Sequence, residues 1–392
     1  MIALNNDFWF TKSILGANKG VAKRKLNPQE LELVETYRKA GVEPVGVDLA
    51  SRKIQVCYLR KNGSVFNGQL KREDFFKFIE NSEDLFAGRK MRIGFESCGA
   101  CNFWARECVK HGHEYRIIAP ARIKSFLSVD KTDAIDAFGI YKATFTASIP
   151  SIACRSEENQ TLLNLLNVRA QFSKQLIQTQ NAHRALLYEL GVICNEGLKA
   201  VTAASDELLK KMTETQSPGL QSFKVAVECF RNDEDCLSLQ LENIDGYIKA
   251  YARGNEDCKR LMSIPGIAEI SAVTLYAVMG NADDFPSSRH FAAFAGFAPK
   301  VSGTGGETNV GTLRKSGNKL LKKVLYMCAI ARFGQMRKID LEHTSKISRL
   351  ADNEAFANKK LVCAIANRLA RVAWTICKSK CTYDAKKCQL LG

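Results

Sequence analysis

No apolar run in this 392-residue chain approaches the roughly 20 residues that a helix needs to cross a bilayer, which excludes a helical membrane span. Met1 to Phe10 includes Asp7 and has no continuous apolar stretch, so the start is not read as a secretory signal and a cytoplasmic protein is expected. Acidic residues are also in short supply. The 41 Asp and Glu stand against 57 Lys and Arg, and the net charge of +16 calls for a polyanionic partner, either nucleic acid or an anionic membrane surface. Cysteine is plentiful at 14, but the arrangement that would make a zinc site is missing. Cys98 and Cys101 form one Cys-x-x-Cys, and Cys377, Cys381 and Cys388 cluster near the end. Neither group has a second pair or a histidine at finger-like spacing, so they are read as reduced, mostly buried thiols.

What is present changes character along the chain. Residues 1–43 read as an N-terminal extension with an aromatic cluster (Phe8, Trp9, Phe10), a basic run (Lys23, Arg24, Lys25) and a helix capped by Asn27 with Pro28 in its first turn. This extension is either a nucleic-acid-contacting arm or a solvated appendage. Residues 44–150 carry strand-like runs at Val45–Leu49, Ile54–Leu59, Ser64–Leu70, Met91–Phe95 and Tyr115–Ile118, with helices between the later ones. Three strands followed by helix, strand, helix, strand is the order of a ribonuclease-H-like sheet, in which the first and fourth strands are neighbours.

That order gives meaning to four carboxylates. Asp48 ends Val-Gly-Val-Asp, Glu96 ends Ile-Gly-Phe-Glu, and Asp133 and Asp136 lie three apart on a predicted helix. Neighbouring strand ends would bring Asp48 and Glu96 together, and the i, i+3 spacing puts Asp133 and Asp136 on one helix face. Such a set suits two Mg²⁺ ions about 4 Å apart at a phosphodiester, because hard cations require oxygen ligands that also neutralise their charge. Lys131 is placed to touch a phosphate. Each residue alone could be a turn or helix cap.

Residues 151–257 lack strand signals, and Leu162, Leu165, Phe172, Leu176, Leu186 and Leu190 recur at helical spacing. A long helical coiled-coil arm, serving as linker and dimerisation surface, is expected, with His183 as a seam residue. Further helices are predicted at Thr202–Met212 and Leu237–Arg253. Residues 258–392 open with Ile264-Pro-Gly-Ile267, a helix-hairpin-helix pattern whose turn at Gly266 suits a phosphate or simply packs two helices. Phe294-Ala-Gly-Phe-Ala-Pro299 then precedes a glycine-rich loop, Lys300 to Thr308. Behind it Arg314, Lys315, Lys319, Lys322 and Lys323 form a basic patch, and a basic amphipathic helix lies in the tail.

Taken together, Val45-Gly-Val-Asp-Leu-Ala50, Gly94-Phe-Glu-Ser-Cys-Gly-Ala100, Lys131-Thr-Asp-Ala-Ile-Asp-Ala137, Ile264-Pro-Gly-Ile267, Phe294 to Pro299 and the Ser302-Gly-Thr-Gly-Gly306 stretch resemble the DEDD transposases of the insertion-sequence 110 family, closest to its insertion-sequence 1111 branch. The resemblance implies an α/β plus α fold with a RuvC-like domain holding Asp48, Glu96, Asp133 and Asp136 and a mainly α transposase domain holding a nucleophilic serine. It also implies Mg²⁺, a bridge RNA as guide, donor and target double-stranded DNA, and a tetramer, a dimer of dimers, whose active sites combine carboxylates of one subunit with the serine of another. The family commonly has Ser-Ser-Gly-Gly or Ser-Thr-Gly-Gly here. Counting from Pro299 without a gap places Gly303 or Thr304 at the nucleophile position, and allowing one inserted glycine places Ser302 there; Ser302 is favoured over Thr304 because a secondary hydroxyl is more crowded. Two other classes fit the residues: a Holliday-junction resolvase that needs no serine, and a non-catalytic nucleic-acid scaffold.

Overall fold

The computed structural model describes residues 25–81, 85–127, 132–304, 307–314, 316–338 and 358–385. Phe8 to Phe10, Lys23, Arg24, Lys131, Lys315, Gly305, Gly306 and Cys388 lie outside these residues. The chain divides into two compact units, Met1–Ser156 and Glu157–Gly392. Among the described residues no helix is long and apolar enough to cross a membrane.

The first unit is built on a five-stranded sheet. Its strands are β1 (Val42–Leu49), β2 (Lys53–Leu59), β3 (Val65–Lys71), β4 (Lys90–Glu96) and β5 (Glu114–Ile118), in the order β3-β2-β1-β4-β5. β1 to β3 form an antiparallel meander, while β1, β4 and β5 run parallel. This is the mixed sheet expected from the sequence. Helix α1 (Pro28–Lys39) starts with a full capping box, Asn27 Oδ1 accepting from Glu30 N at 2.8 Å and Glu30 Oε2 accepting from Asn27 N at 2.9 Å. It does not dangle: Val34 is fully buried among Leu59, Phe138 and Tyr141, and Arg38 pairs with the buried Glu43 of β1 at 2.9 Å. On the other face α2 (Arg72–Glu80) and α3 (Cys101–Lys110) cover Val45, Val47, Ile93 and Phe95, with Phe75 and Trp104 edge to face at 4.8 Å.

After β5 comes the short α4 (Pro120–Ile123), and then α5 (Asp133–Phe145) lies directly against β1 and β4. The approach is possible because Gly46 and Gly94 sit side by side in the parallel ladder. A Cβ on Gly46 would come within 2.3 Å of the Tyr141 backbone nitrogen, and one on Gly94 within 1.8 Å of Thr144 Oγ1. Arg116 of β5 holds the far end of α5, donating to the Thr144 carbonyl at 2.7 Å and to that of Thr146 at 3.1 Å, as well as to Ile149.

The second unit is helical. α6 (Glu157–Glu189) and α8 (Leu220–Gly254) run antiparallel, tied by Glu158 to Tyr251, Arg169 to Asp245 and His183 to Glu234, and α7 (Leu198–Glu214) packs across their distal end. α8 begins at Leu220 rather than Leu237, and in its first turns Phe223 and Val227 are buried with Leu187 of α6 and with Val201 and Leu208 of α7. His183 is a buried seam residue. Its Nδ1 lies 3.2 Å from Glu234 Oε1 and its Nε2 2.8 Å from Ser205 Oγ, whose hydroxyl also reaches the Val201 carbonyl at 2.8 Å.

Beyond this pair, α9 (Glu256–Met262), α10 (Glu269–Met279), α11 (Ser288–Phe294), α12 (Lys319–Lys338) and α13 (Asn358–Ser379) share one apolar core. The stretch 300–308 is read from sequence as a glycine-rich loop, but its residues 300–304 and 307–308 instead lie in an antiparallel ribbon of β6 (Pro299–Thr304) and β7 (Glu307–Leu313). The alternation of Val301 with small residues, and of Thr308, Val310 and Thr312 with their neighbours, favours paired strands over an open loop.

The glycine contact is testable. Gly94→Ala is expected to cost about 1–3 kcal/mol of unfolding free energy, with Thr144→Ala in the same chain recovering part of it. Gly99→Ala, whose methyl would meet nothing within 4 Å, should cost less than about 1 kcal/mol. Equal losses at the two positions in urea unfolding would refute the contact.

Candidate active site

Asp48 is the second-last residue of β1 and Glu96 the last of β4. Side chains alternate along a strand, so Asp48 shares a face with Gly46 and Glu96 with Gly94, two residues earlier in each case. That is the face against which α5 lies, and the first turn of α5 carries Asp133 and Asp136. All four carboxylates therefore meet at the carboxyl end of the sheet. Asp133 is exposed, while Asp48, Glu96 and Asp136 are half-buried.

Their proximity has an electrostatic signature. The Asp48 carboxyl is pushed up to about 6, first by burial and then by the negative charges of Asp136, Asp133, Glu96 and Cys98. Among the described residues no three His, Cys, Asp or Glu side chains close into a ready-made metal cage. The carboxylates sense one another across a gap instead, and a surplus of hard oxygen donors repelling one another is the environment that a divalent cation relieves.

Two residues missed in the sequence brace this arrangement. Gln55 lies directly across the ladder from Asp48, is buried, and donates through Nε2 to Asn67 Oδ1 at 2.6 Å. Asn67 Nδ2 in turn donates to the Ala134 carbonyl at 2.7 Å, in the first turn of α5. Thr132 caps that turn, its Oγ1 accepting from Ile135 N at 3.3 Å. The available signal was a glutamine in the buried phase of an otherwise apolar strand. The Cys98-x-x-Cys101 pair follows Glu96 at the start of α3. The Cys98 thiol is held below the ordinary range, chiefly by a hydrogen bond from Cys101, whose own thiol is pushed up by giving it and by burial.

In the second unit, Ser302 is exposed in the middle of β6, paired in register with Asn309 of β7, and the Thr304 backbone pairs with Glu307 beside the turn. The base of this ribbon is built by two glycines. A Cβ on Gly317 would come within 2.5 Å of Gly296 Cα, and both glycines have positive φ. The segments Phe294–Pro299 and Ser316–Gly317 thus stack backbone on backbone, with Arg314 N donating to the Ala298 carbonyl at 3.1 Å and Asn318 N to that of Phe294 at 2.9 Å. Of the basic residues, Arg314, Lys319 and Lys323 are exposed, whereas Lys322 donates to the Arg314 carbonyl at 3.1 Å. Gly266, in the turn between α9 and α10, has φ of 92° and packs against α12, where a Cβ would lie 2.9 Å from the Cys328 carbonyl oxygen.

Comparison with known proteins bears on both units. Residues 45–191 match the family of DEDD transposases of IS110, and residues 258–343 match the family described as Transposase IS116/IS110/IS902. The chain is 27% identical to the transposase for insertion sequence element IS1328 of Yersinia enterocolitica, over 86% of its own length and 97% of that protein. It is 29% identical to a probable family 20 transposase of Pseudomonas aeruginosa, over 86% and 98%. The transposase for insertion sequence element IS1111A of Coxiella burnetii is 26% identical, over 87% and 91%.

The raised Asp48 carboxyl gives a pH dependence with a definite sign. Its folded value, about 6, lies above its ordinary value of 3.8, so between these values the folded state holds the proton longer. Asp48 thus favours folding below about pH 4 and loses that contribution as pH rises through about 6. Metal-free protein is expected to melt at a lower temperature near about pH 7.5 than near about pH 5, and Asp48→Asn to remove part of that difference. Identical melting profiles for the two proteins across this window would show that the Asp48 carboxyl is not raised in the folded state.

Proposed function

Because the chain belongs to the IS110 family of DEDD transposases, we propose that it is the recombinase of its insertion element, cutting and rejoining DNA through a serine-linked intermediate. The observation that carries this reading is the meeting of Asp48, Glu96, Asp133 and Asp136 at one end of a ribonuclease-H-like sheet, as the mutual repulsion felt by Asp48 reports. These four residues would hold divalent cations, Mg²⁺ by the hardness of the oxygen set and two of them by the number of carboxylates. Such cations, when bound, supply charge stabilisation at a phosphoryl group in an in-line displacement.

The protein's own part is a transesterification. The Ser302 hydroxyl, exposed on β6, forms an Oγ–P bond as the bond from phosphorus to the departing strand's oxygen breaks. The hydroxyl proton is lost and the departing oxygen takes one up. Rejoining reverses the exchange with the hydroxyl of a different strand, so the phosphodiester energy is kept in the Ser–phosphate link rather than lost to water. Arg314, Lys319 and Lys323 flank the ribbon, and with Lys131 and Lys315 they are assigned to phosphate contact. Carboxylates and serine belong to different units of the chain, and we assign the working site to carboxylates of one subunit and serine of another, within a tetramer. The α6–α8 pair, which leaves Val168, Ile177, Leu239 and Tyr247 exposed, is a suitable coiled-coil contact between subunits. Guidance by a bridge RNA, itself a polyanion, fits the net charge of +16.

The test uses protein purified with its bound RNA, sequenced, and then supplied with Mg²⁺ and DNA matching that RNA. Wild type should give a covalent protein–DNA adduct and recombinant product. Ser302→Ala and Asp48→Ala should each lose product by about a thousandfold or more, and Thr304→Ala should keep the adduct. Exchange retained in Ser302→Ala would replace this mechanism with that of a resolvase acting through the carboxylates alone, and the absence of a discrete RNA would overturn guidance.

A further inference from the structure

Helix α13 buries Leu361, Val362, Ile365, Ala366, Leu369 and Ala370 in the core of the second unit. On its opposite side Lys360, Ala364, Arg368, Arg371, Thr375 and Lys378 follow one another at intervals of three or four, so they form a single ridge. The rotation of the helix is fixed by two hydrogen bonds on the flank of that ridge, Asn367 Nδ2 to the Phe297 carbonyl at 3.0 Å and Trp374 Nε1 to that of Ala282 at 2.9 Å. α11 packs beside α13 and brings Arg289 within electrostatic reach of Arg371, which also feels Arg368.

Neutralisation is uneven along this surface. Lys378, at the end of the ridge, pairs with Asp283, but among the described residues no ion pair engages Arg289 or Arg371. The stems of Arg368 and Arg371 are half-buried, and the Arg371 Nε is sealed from solvent. Arg368 and Arg371 thus project from half-buried stems, with the exposed Arg289 of α11 near enough for its like charge to be felt at Arg371, on a surface whose intervening residues are a short alanine and a threonine. Ala364 and Thr375 offer no apolar anchor, which disfavours a membrane surface as the partner. Planar guanidiniums in this state suit phosphate, which they engage in pairs of hydrogen bonds.

We propose that Arg289, Arg368 and Arg371, continued by Lys360, form a sequence-independent binding track for the phosphate backbone of a nucleic acid, separate from the ribbon that carries Ser302. From Lys360 to Arg371 the ridge runs about 16 Å, the length of roughly five nucleotides of one strand. The assignment rests on reading the chain as a nucleic-acid-processing protein. The phosphate chemistry is common to the guide and to the recombining DNA.

The experiment measures binding of the full chain to a duplex DNA and a duplex RNA of arbitrary sequence, by fluorescence anisotropy between about 50 and 200 mM salt. The triple variant Arg289→Gln, Arg368→Gln, Arg371→Gln should lower low-salt affinity by about tenfold or more and make the slope of log affinity against log salt shallower by about two to three. The corresponding triple lysine variant should keep the steeper slope, which excludes misfolding as the cause. Arg253→Gln, removing an exposed guanidinium already paired with Glu269, should leave the slope unchanged. A loss confined to RNA would assign the track to the guide, a loss confined to DNA to the recombining ends, and an equal loss to both. A wild-type slope in the triple glutamine variant overturns the proposal while leaving the catalytic reading intact. Wild-type protein that binds neither duplex overturns that reading itself.

Discussion

The contact of one helix with two glycines, Gly46 against the Tyr141 backbone and Gly94 against the Thr144 side chain, organises the first unit. Without side chains at Gly46 and Gly94, α5 can lie against the β1–β4 ladder at the level of Tyr141 and Thr144. The same two strands carry Asp48 and Glu96 two residues further on, and α5 carries Asp133 and Asp136 at its start. Close packing and the meeting of four carboxylates are therefore one geometric fact. A larger residue at either glycine would lift the helix, and with it half of the site. The Arg116 clamp at the far end and the Gln55–Asn67 link at the near end keep α5 from sliding along the floor so created.

The electrostatics of the chain follow a division of labour. Negative charge is concentrated at the carboxyl end of the sheet, where burial first and the acidic neighbours second raise the Asp48 carboxyl to about 6. Positive charge is in excess elsewhere, and much of it in the second unit is left without an acidic partner. Both imbalances are unfavourable for the protein alone. They become favourable only with a ligand of opposite sign, as in a protein whose working state is a complex.

The sheet and the carboxylates were legible in the sequence because each rests on a local pattern. β-branched runs end at Asp48 and Glu96, an Asn-Gly turn joins two strands, and the i, i+3 pair is preceded by a capping threonine. The order of elements then restricted the topology. What escaped depends on contacts distant in sequence. Gly46 and Gly94 look like ordinary strand residues until the helix that covers them is in place. Gln55 and Asn67 have partners 12 and 67 residues away. The stretch 300–308 reads as a loop because glycine usually marks open backbone, whereas here the base of the ribbon is closed by Gly296 against Gly317. The early start of α8 is hidden because Phe223 and Val227 are buried in a small cluster shared with Leu187 of α6 and with α7, contacts distant in sequence.

The glycine floor also makes α5 a lever. Its points of closest approach, Tyr141 and Thr144, lie two to three turns beyond Asp133, an arm of about 12 Å at 1.5 Å per residue. A tilt of only about 5° about that fulcrum would swing the leading carboxylates by about 1 Å, a displacement of the size that can change a rate a hundredfold. Small adjustments of packing at Tyr141 or Thr144 thus have mechanical advantage over where Asp133 and Asp136 stand.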